Sequence, residues 1–365
     1  METLLLARAD VEENAQMVEL IPAIEDAFAA YERGDAKMPP KTYVDLERYN
    51  GDFRSMPAYL DVRSDGRSGR NGGDGSDGGD GSDGGDGRDD GGGFDVDDEW
   101  DAAGVKWVNV HPDNPAEHDL PTVMGTMIYS DPETAFPLSI MDGTELTRQR
   151  TGAAAAVATD HLAIDGARSL GIVGAGVQAY TQLEGIATVR PIERVVIADR
   201  DQERVERFVE HFRDEFDVRA GSIADAAKCD VLSTVTPVEE PIVARADVAE
   251  HTHVNAMGAD AAGKHELADE LLLEATIVID DYEQATHSGE INVPWSQGVL
   301  DDSNIAAELG EIVVGKKAGR TSEDGITVFD STGLAIQDVA AARVVFEHAE
   351  TDGEGTPFDL LGLST

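Results

Sequence analysis

SLGIVGAGVQAYTQLEGI, residues 169–186, decides how the rest of the chain reads. An apolar run ends at Gly174-Ala175-Gly176, and a helix-forming segment starts at once. Gly174, Gly176 and Ala179 stand in a G-x-G-x-x-A spacing. Between a strand and a helix, those small residues let the backbone turn sharply and offer N–H groups and a helix N-terminus to a diphosphate. A second apolar run, RVVIAD, ends at Asp199, 25 residues beyond Gly174, where a dinucleotide site needs an acid for the ribose hydroxyls. A tight structural turn with a surface acid is the alternative; the two features in register favour dinucleotide binding. A carboxylate at Asp199 repels a 2′-phosphate and so favours NAD over NADP, while Arg200 beside it works in the opposite sense.

Outward from this turn, VLSTVT, HVNAMGAD, TIVIDD and GITVFDSTG are further short apolar runs, most of them separated by helix-length polar segments. That alternation predicts a parallel sheet with crossover helices, an α/β fold with a Rossmann-type NAD-binding domain over residues 151–330. Ligands lie outside the C-terminal strand ends of such sheets. Val177 and Gln178 in the turn, with Thr234, Val235, Met257, Gly258 and Ser331 at strand ends, are therefore the remaining expected cofactor contacts. Residues 1–150 read differently. Helices over 10–33 with a stop at Gly34 precede KTYVDL, DFRSMPAYL, GVKWVNV, PTVMGTMIYSD and PLSIMDG, whose alternating patterns predict antiparallel strands, and ELTRQRTGAAAAVATDH is strongly helical. The C-terminal segment 331–365, with the helix IQDVAAARVVFEHA, is expected to return to this first, α+β domain.

The formal net charge of −45 over 365 residues excludes nucleic acid and anionic membranes as natural partners. The acid is spread along the chain, which suits a cytoplasmic protein dispersed in concentrated salt, a halophilic character. The single cysteine, Cys229, excludes an internal disulfide and reads as a buried small apolar group. No apolar run approaches the roughly 20 residues that span a bilayer, and METLLLARADVEE turns acidic too soon for a signal peptide. His111, His118, His251, His253, His265 and His287 show no ligand spacing, so no metal is expected. The Gly/Asp-rich insert over 64–93 lacks the apolar residue per repeat that a stacked calcium roll needs. It reads as a disordered enlargement of the hairpin loop between DFRSMPAYL and GVKWVNV.

GVKWVNVHPDNP, LPTVMGT, MDGTELTRQRTGAAAA, GAGVQA, NAMGAD, GKHEL and FDSTGLAIQD occur in an order that resembles the ornithine cyclodeaminase/mu-crystallin family, in its archaeal alanine dehydrogenase branch. The resemblance covers nearly all of the chain outside the insert. It implies a substrate and dimerisation domain built from both chain ends, a central NAD domain, a homodimer, and an amino-acid or keto-acid substrate. Lys106 matches the family lysine beside the substrate α-carbon, where an ammonium can hold a carboxylate or shuttle a proton. Arg150 matches the arginine that clamps the α-carboxylate, and Thr122 a threonine that assists it. Asp260 matches the aspartate facing the nicotinamide, able to take an amine proton or activate water; capping a following helix is its structural alternative. Lys41 stands where the family often has a carboxylate-binding arginine, so the charge is kept and the two-point geometry is not.

Arg54 departs from the pattern. Cyclodeaminases of the family carry a glutamate there for the distal amine of ornithine, so a cation would face a cation. That argues for a small or acidic side chain and for NAD-dependent oxidation of L-alanine to pyruvate and ammonia. Ornithine cyclodeamination, cyclic ketimine reduction and non-catalytic NAD(P) binding are the alternatives.

Overall fold

The computed structural model describes residues 1–62 and 99–363; the reading of the Gly/Asp insert lies outside the described residues. Two eight-stranded sheets organise the chain. The first runs in the order Thr356–Phe358, Thr3–Leu6, Pro137–Asp142, Val123–Ser130, Trp100–Val110, Gly51–Val62, Ala36–Lys37, and Thr42–Leu46 also pairs with Gly51–Val62. All its pairings are antiparallel except Thr3–Leu6 with Pro137–Asp142. Thr3 sits opposite Phe358, so both chain ends lie at one edge of this sheet.

Gly51–Val62 and Trp100–Val110 pair along their whole length, with Met56 opposite Lys106. Successive strand residues point to opposite faces. Met56, Ala58, Leu60, Ala102, Lys106 and Val108 are buried on one face, with helices Met17–Arg33 and Ala335–Asp352 packed in the same core. Phe53 and Trp107 stack on the other at 5.0 Å, and Trp107 remains 45% exposed. Gly34, at φ 82°, supplies the left-handed C-cap that ends Met17–Arg33.

The second sheet is wholly parallel: Asp217–Ala220, Arg194–Ala198, Ser169–Val173, Val231–Thr234, His253–Ala256, Thr327–Asp330, Thr276–Ile279, Ile305–Glu308. Strand order reverses between Ser169–Val173 and Val231–Thr234, the switch point at which doubly wound sheets open a ligand crevice. The 20-residue helix Gly143–Leu162 joins the two halves. Its Asp142 cap accepts a hydrogen bond from the Glu145 N–H at 2.6 Å. A Cβ at Gly152 would overlap the Thr181 carbonyl of helix Val177–Val189. The glycine and the fully buried Ala153–Ala156 run thus let the two helices meet backbone to backbone. Among the described residues no helix is long and apolar enough to cross a membrane.

Candidate active site

The turn after Ser169–Val173 is built as a cradle. Gly174 takes φ 106°, and a Cβ there would lie 2.9 Å from the Val235 carbonyl. A Cβ at Gly176 would meet nothing within 4 Å, which leaves open space at the N-cap of helix Val177–Val189. No side chain caps that end, so its N–H groups stay available to an anion. Ala179 is fully buried, as close helix–strand packing requires. Asp199 accepts from the Ala175 N–H at 2.6 Å and the Asp201 N–H at 2.8 Å, tying the second strand end to the turn. Arg200 is exposed, Val177 lies open at the turn, and Gln178 follows it half-buried. Thr234, Val235, Met257 and Ser331 are laced together by backbone bonds: Met257 N–H to Thr234 at 2.9 Å, Ser331 N–H to Ala256 at 3.1 Å, Val235 N–H to Val173 at 2.9 Å. Gly258 donates to the buried Glu266 carboxylate at 3.0 Å, and no side chain fits at that approach. This edge suits a dinucleotide: open at Gly176, closed around Gly174, and supplied with an acid at Asp199.

Opposite these strand ends, cations come from the first sheet, from helix Gly143–Leu162 and from the residue before Thr42–Leu46. Lys106 is 2% exposed, in mid-strand. Its Nζ donates to Asp338 Oδ1 at 2.8 Å and to Thr147 Oγ1 at 3.1 Å, and lies 2.7 Å from Asp338 Oδ2 as an ion pair. Arg150, 6% exposed, donates from Nε to the same Asp338 at 3.1 Å and from Nη1 to Gln337 at 3.0 Å. Asp338 is fully buried between the two. Burial lowers the Lys106 ammonium to about 8, against the opposing pull of Asp338. Lys41 is likewise lowered by burial to about 8, with Asp280 opposing, and its Nζ donates to the Thr332 carbonyl at 3.0 Å. Arg150 and Lys41 each add to the lowering of a neighbouring ammonium, so the three cations form one cluster.

Arg54 is gripped in two-point fashion by Asp52, Nε and Nη2 each at 3.0 Å, and its Nη1 lies 3.6 Å from Asp260 across the cleft. Tyr43 covers the guanidinium at 5.3 Å. The Asp260 side chain is 44% exposed and also pairs with Lys264. Burial works to raise this carboxyl, but Lys264, Arg54 and Lys41 together hold it below the usual range. Asp260 caps no helix: the next one, Asp269–Glu274, begins from Ala268.

The structure therefore brings Lys41, Arg54, Lys106, Arg150 and Asp260 to one cleft. It does not place Thr122 beside Lys106. That residue precedes Val123–Ser130, where its carbonyl accepts from the His111 N–H at 2.7 Å. Lys106 pairs with Met127, five residues further on, and about 3.4 Å per strand residue separates the two by roughly 17 Å. Thr147 supplies the hydroxyl beside Lys106 instead. Sequence reasoning also missed Asp338, Gln337, Asp280 and Asp52. One signal was available: Asp338 is the lone acid in the apolar helical run LAIQDVAAA, and an acid so placed needs a buried partner. Among the described residues no group of three or more His, Cys, Asp or Glu side chains converges as a metal site.

A doubly wound dinucleotide edge facing a cation-lined pocket on a mixed sheet defines the class of protein. The Ornithine cyclodeaminase/mu-crystallin family matches residues 1–67 and 95–353, and the chain belongs to it. It is 42% identical to the alanine dehydrogenase of Archaeoglobus fulgidus over 357 residues, 98% of each chain. Among solved structures it resembles an archaeal alanine dehydrogenase dimer with bound NAD (TM-score 0.84, 42% identity, covering 99% of this chain and 100% of that one). It also resembles the Thermococcus litoralis Delta(1)-pyrroline-2-carboxylate reductase in complex with NADH and L-proline (TM-score 0.82, 34% identity, covering 97% and 99%).

Proposed function

We propose that this protein is an NAD-dependent dehydrogenase of a small L-amino acid, with L-alanine as substrate and pyruvate and ammonia as products. The carrying observation is the cation cluster of buried Lys106 and Arg150 with half-buried Lys41, facing Asp260 across the cleft. Gly174, Gly176 and the N-terminus of Val177–Val189 would hold the diphosphate of NAD, Asp199 its ribose hydroxyls, and the strand ends Thr234–Val235, Met257–Gly258 and Ser331 its nicotinamide half. When bound, NAD supplies the acceptor for the hydride that leaves the alanine α-carbon.

The chain's own residues do the rest. Arg150 and Lys106 take the α-carboxylate in charge-assisted hydrogen bonds, with Asp338 behind them fixing their orientation. Lys41 adds a third positive charge to the same pocket. Loss of hydride leaves an iminium; water adds to that carbon, and ammonia departs to give the keto acid. Asp260, held ionised by its cationic neighbours, accepts the proton that the amine or the attacking water must shed. Arg54, with its charge tied to Asp52 and Asp260, opposes a second amine in the substrate. Reduction of a cyclic imine needs the same carboxylate pocket, and the likeness to the pyrroline-carboxylate reductase makes it the second reading.

We further infer a homodimer in a salt-rich cytoplasm, supported by the charge of −45, the single cysteine and the apolar Phe53–Trp107 stack on the uncovered face of the first sheet. Asp260→Asn tests the catalytic assignment. Alanine-dependent NADH formation should fall at least ~100-fold in kcat while NADH affinity is kept. An unchanged rate removes Asp260 from the mechanism.

A further inference from the structure

Behind the cation cluster lies a carboxylate that the proposed chemistry does not use. Asp280 follows strand Thr276–Ile279 and is 1% exposed. Its Oδ2 accepts from the Thr332 N–H at 2.6 Å and the Gly333 N–H at 3.0 Å, and from the Ser331 and Thr332 hydroxyls at 3.2 Å each. The three-residue turn Ser331–Gly333 is thus fastened from beneath through both backbone and side chains.

The other side of that turn carries the cluster. The Thr332 carbonyl receives Lys41 Nζ at 3.0 Å. Gly333, at φ 76°, lies so close to Arg150 that a Cβ there would stand 2.7 Å from both Nη atoms. Helix Ala335–Asp352 starts two residues later and delivers Gln337 and Asp338 to the same guanidinium. The position of Lys41, the seat of Arg150 and the entry of the helix all depend on where this turn is held.

We propose that Asp280 is a positioning residue for substrate recognition: by anchoring Ser331–Gly333 it sets Lys41 and Arg150 at the spacing that takes the substrate carboxylate. This rests on the reading of the cluster as a carboxylate site. Asp280 touches neither substrate nor cofactor and acts through the turn. The interaction that matters is acceptance of two N–H groups by one oxygen, which an asparagine retains and an alanine does not.

The test uses the full-length protein, with oxalate as a carboxylate probe on the NADH complex and L-alanine as substrate. Asp280→Ala should raise the oxalate Kd and the alanine KM at least ~10-fold, and by clearly more than it raises the NADH Kd, because Ser331 in the same turn is also assigned to the cofactor. Asp280→Asn, compared with wild type at about pH 6 so that Lys41 stays charged without its opposing carboxylate, should restore most of both. Gly333→Ala, which leaves Asp280 in place and presses on Arg150, should reproduce the carboxylate defect, and it carries the test if Asp280→Ala does not fold. Unchanged oxalate and alanine constants in both Asp280→Ala and Gly333→Ala would overturn the proposal. So would loss of NADH affinity in parallel, the mark of a merely structural role, or an asparagine variant as impaired as the alanine one. Wild-type protein that binds NADH but neither oxalate nor alanine would instead overturn the carboxylate reading itself, and this inference with it.

Discussion

Asp338→Asn is the most revealing single change to the cluster. The substitution keeps the shape and one oxygen but removes the charge between Lys106 and Arg150, whose side chains are only 2% and 7% exposed. Removing one partner of a buried ion pair costs about 3–5 kcal/mol, because the remaining charge is left uncompensated. An unfolding entropy of about 2.1 cal/mol/K per residue gives a chain of this length roughly 0.8 kcal/mol per kelvin, so Tm should fall by about 4–7 °C at neutral pH. The pH dependence has a definite sign. Lys106 in the folded protein is already lowered from 10.5 to about 8, so the unfolded chain binds more protons in that window and this lysine makes stability rise with pH. Without Asp338, which pulls the other way, the amine sheds its proton at lower pH. The deficit of the variant should therefore shrink between neutral pH and about pH 9. Thermal unfolding at fixed salt reads both effects, and adding Lys106→Met to Asp338→Asn should recover at least half of the loss by removing one of the stranded cations. A Tm within about 1 °C of wild type, or a double variant no better than the sum of the singles, would refute the buried triad as a mutually neutralising unit.

Three further outcomes follow from the geometry. Arg54→Glu removes the cation that faces Asp260; the ratio of kcat/KM for L-ornithine to that for L-alanine should rise at least ~10-fold, about 1.4 kcal/mol, in competition assays, and an unchanged ratio would show that Arg54 does not select against a distal amine. Because Lys41 and Lys106 are lowered to about 8, both are charged below that pH and lose charge above it. Oxalate, which does not itself titrate there, should bind independently of pH below about 7 and progressively more weakly above about 8; a flat profile to about pH 10 would contradict the assignment. Gly174→Ala forces a side chain into φ 106° and to 2.9 Å from the Val235 carbonyl, so NADH affinity measured by fluorescence should drop at least ~10-fold, and wild-type affinity would remove the turn from the cofactor site.

Much of this fold was legible because its signals are local. The run 169–186 placed strand, turn and helix through composition alone, and Gly34 marked a helix end that the structure shows as a left-handed cap. The edge strands Asp217–Ala220, Ile305–Glu308 and Thr356–Phe358 escaped because they lack the fully buried apolar run that marks equally short interior strands such as Val231–Thr234. The same distinction divides the cleft. Lys106 stood out by charge in apolar surroundings and Asp260 at a strand end, while Arg150 came only from the family resemblance. Asp338, Asp280 and Asp52 did not stand out, because their importance lies in what they touch, up to 232 residues away in sequence. Thr122 is a motif neighbour whose strand register carries it away from Lys106.

The measurement that bears most directly on the central claim is product analysis with L-alanine, L-ornithine and L-proline, each with NAD in molar salt. The account predicts NADH, pyruvate and ammonia formed in equal amounts from L-alanine and no comparable turnover of the other two. Ornithine converted to proline and ammonia without net NADH would contradict it, as would NADH formation driven by proline alone.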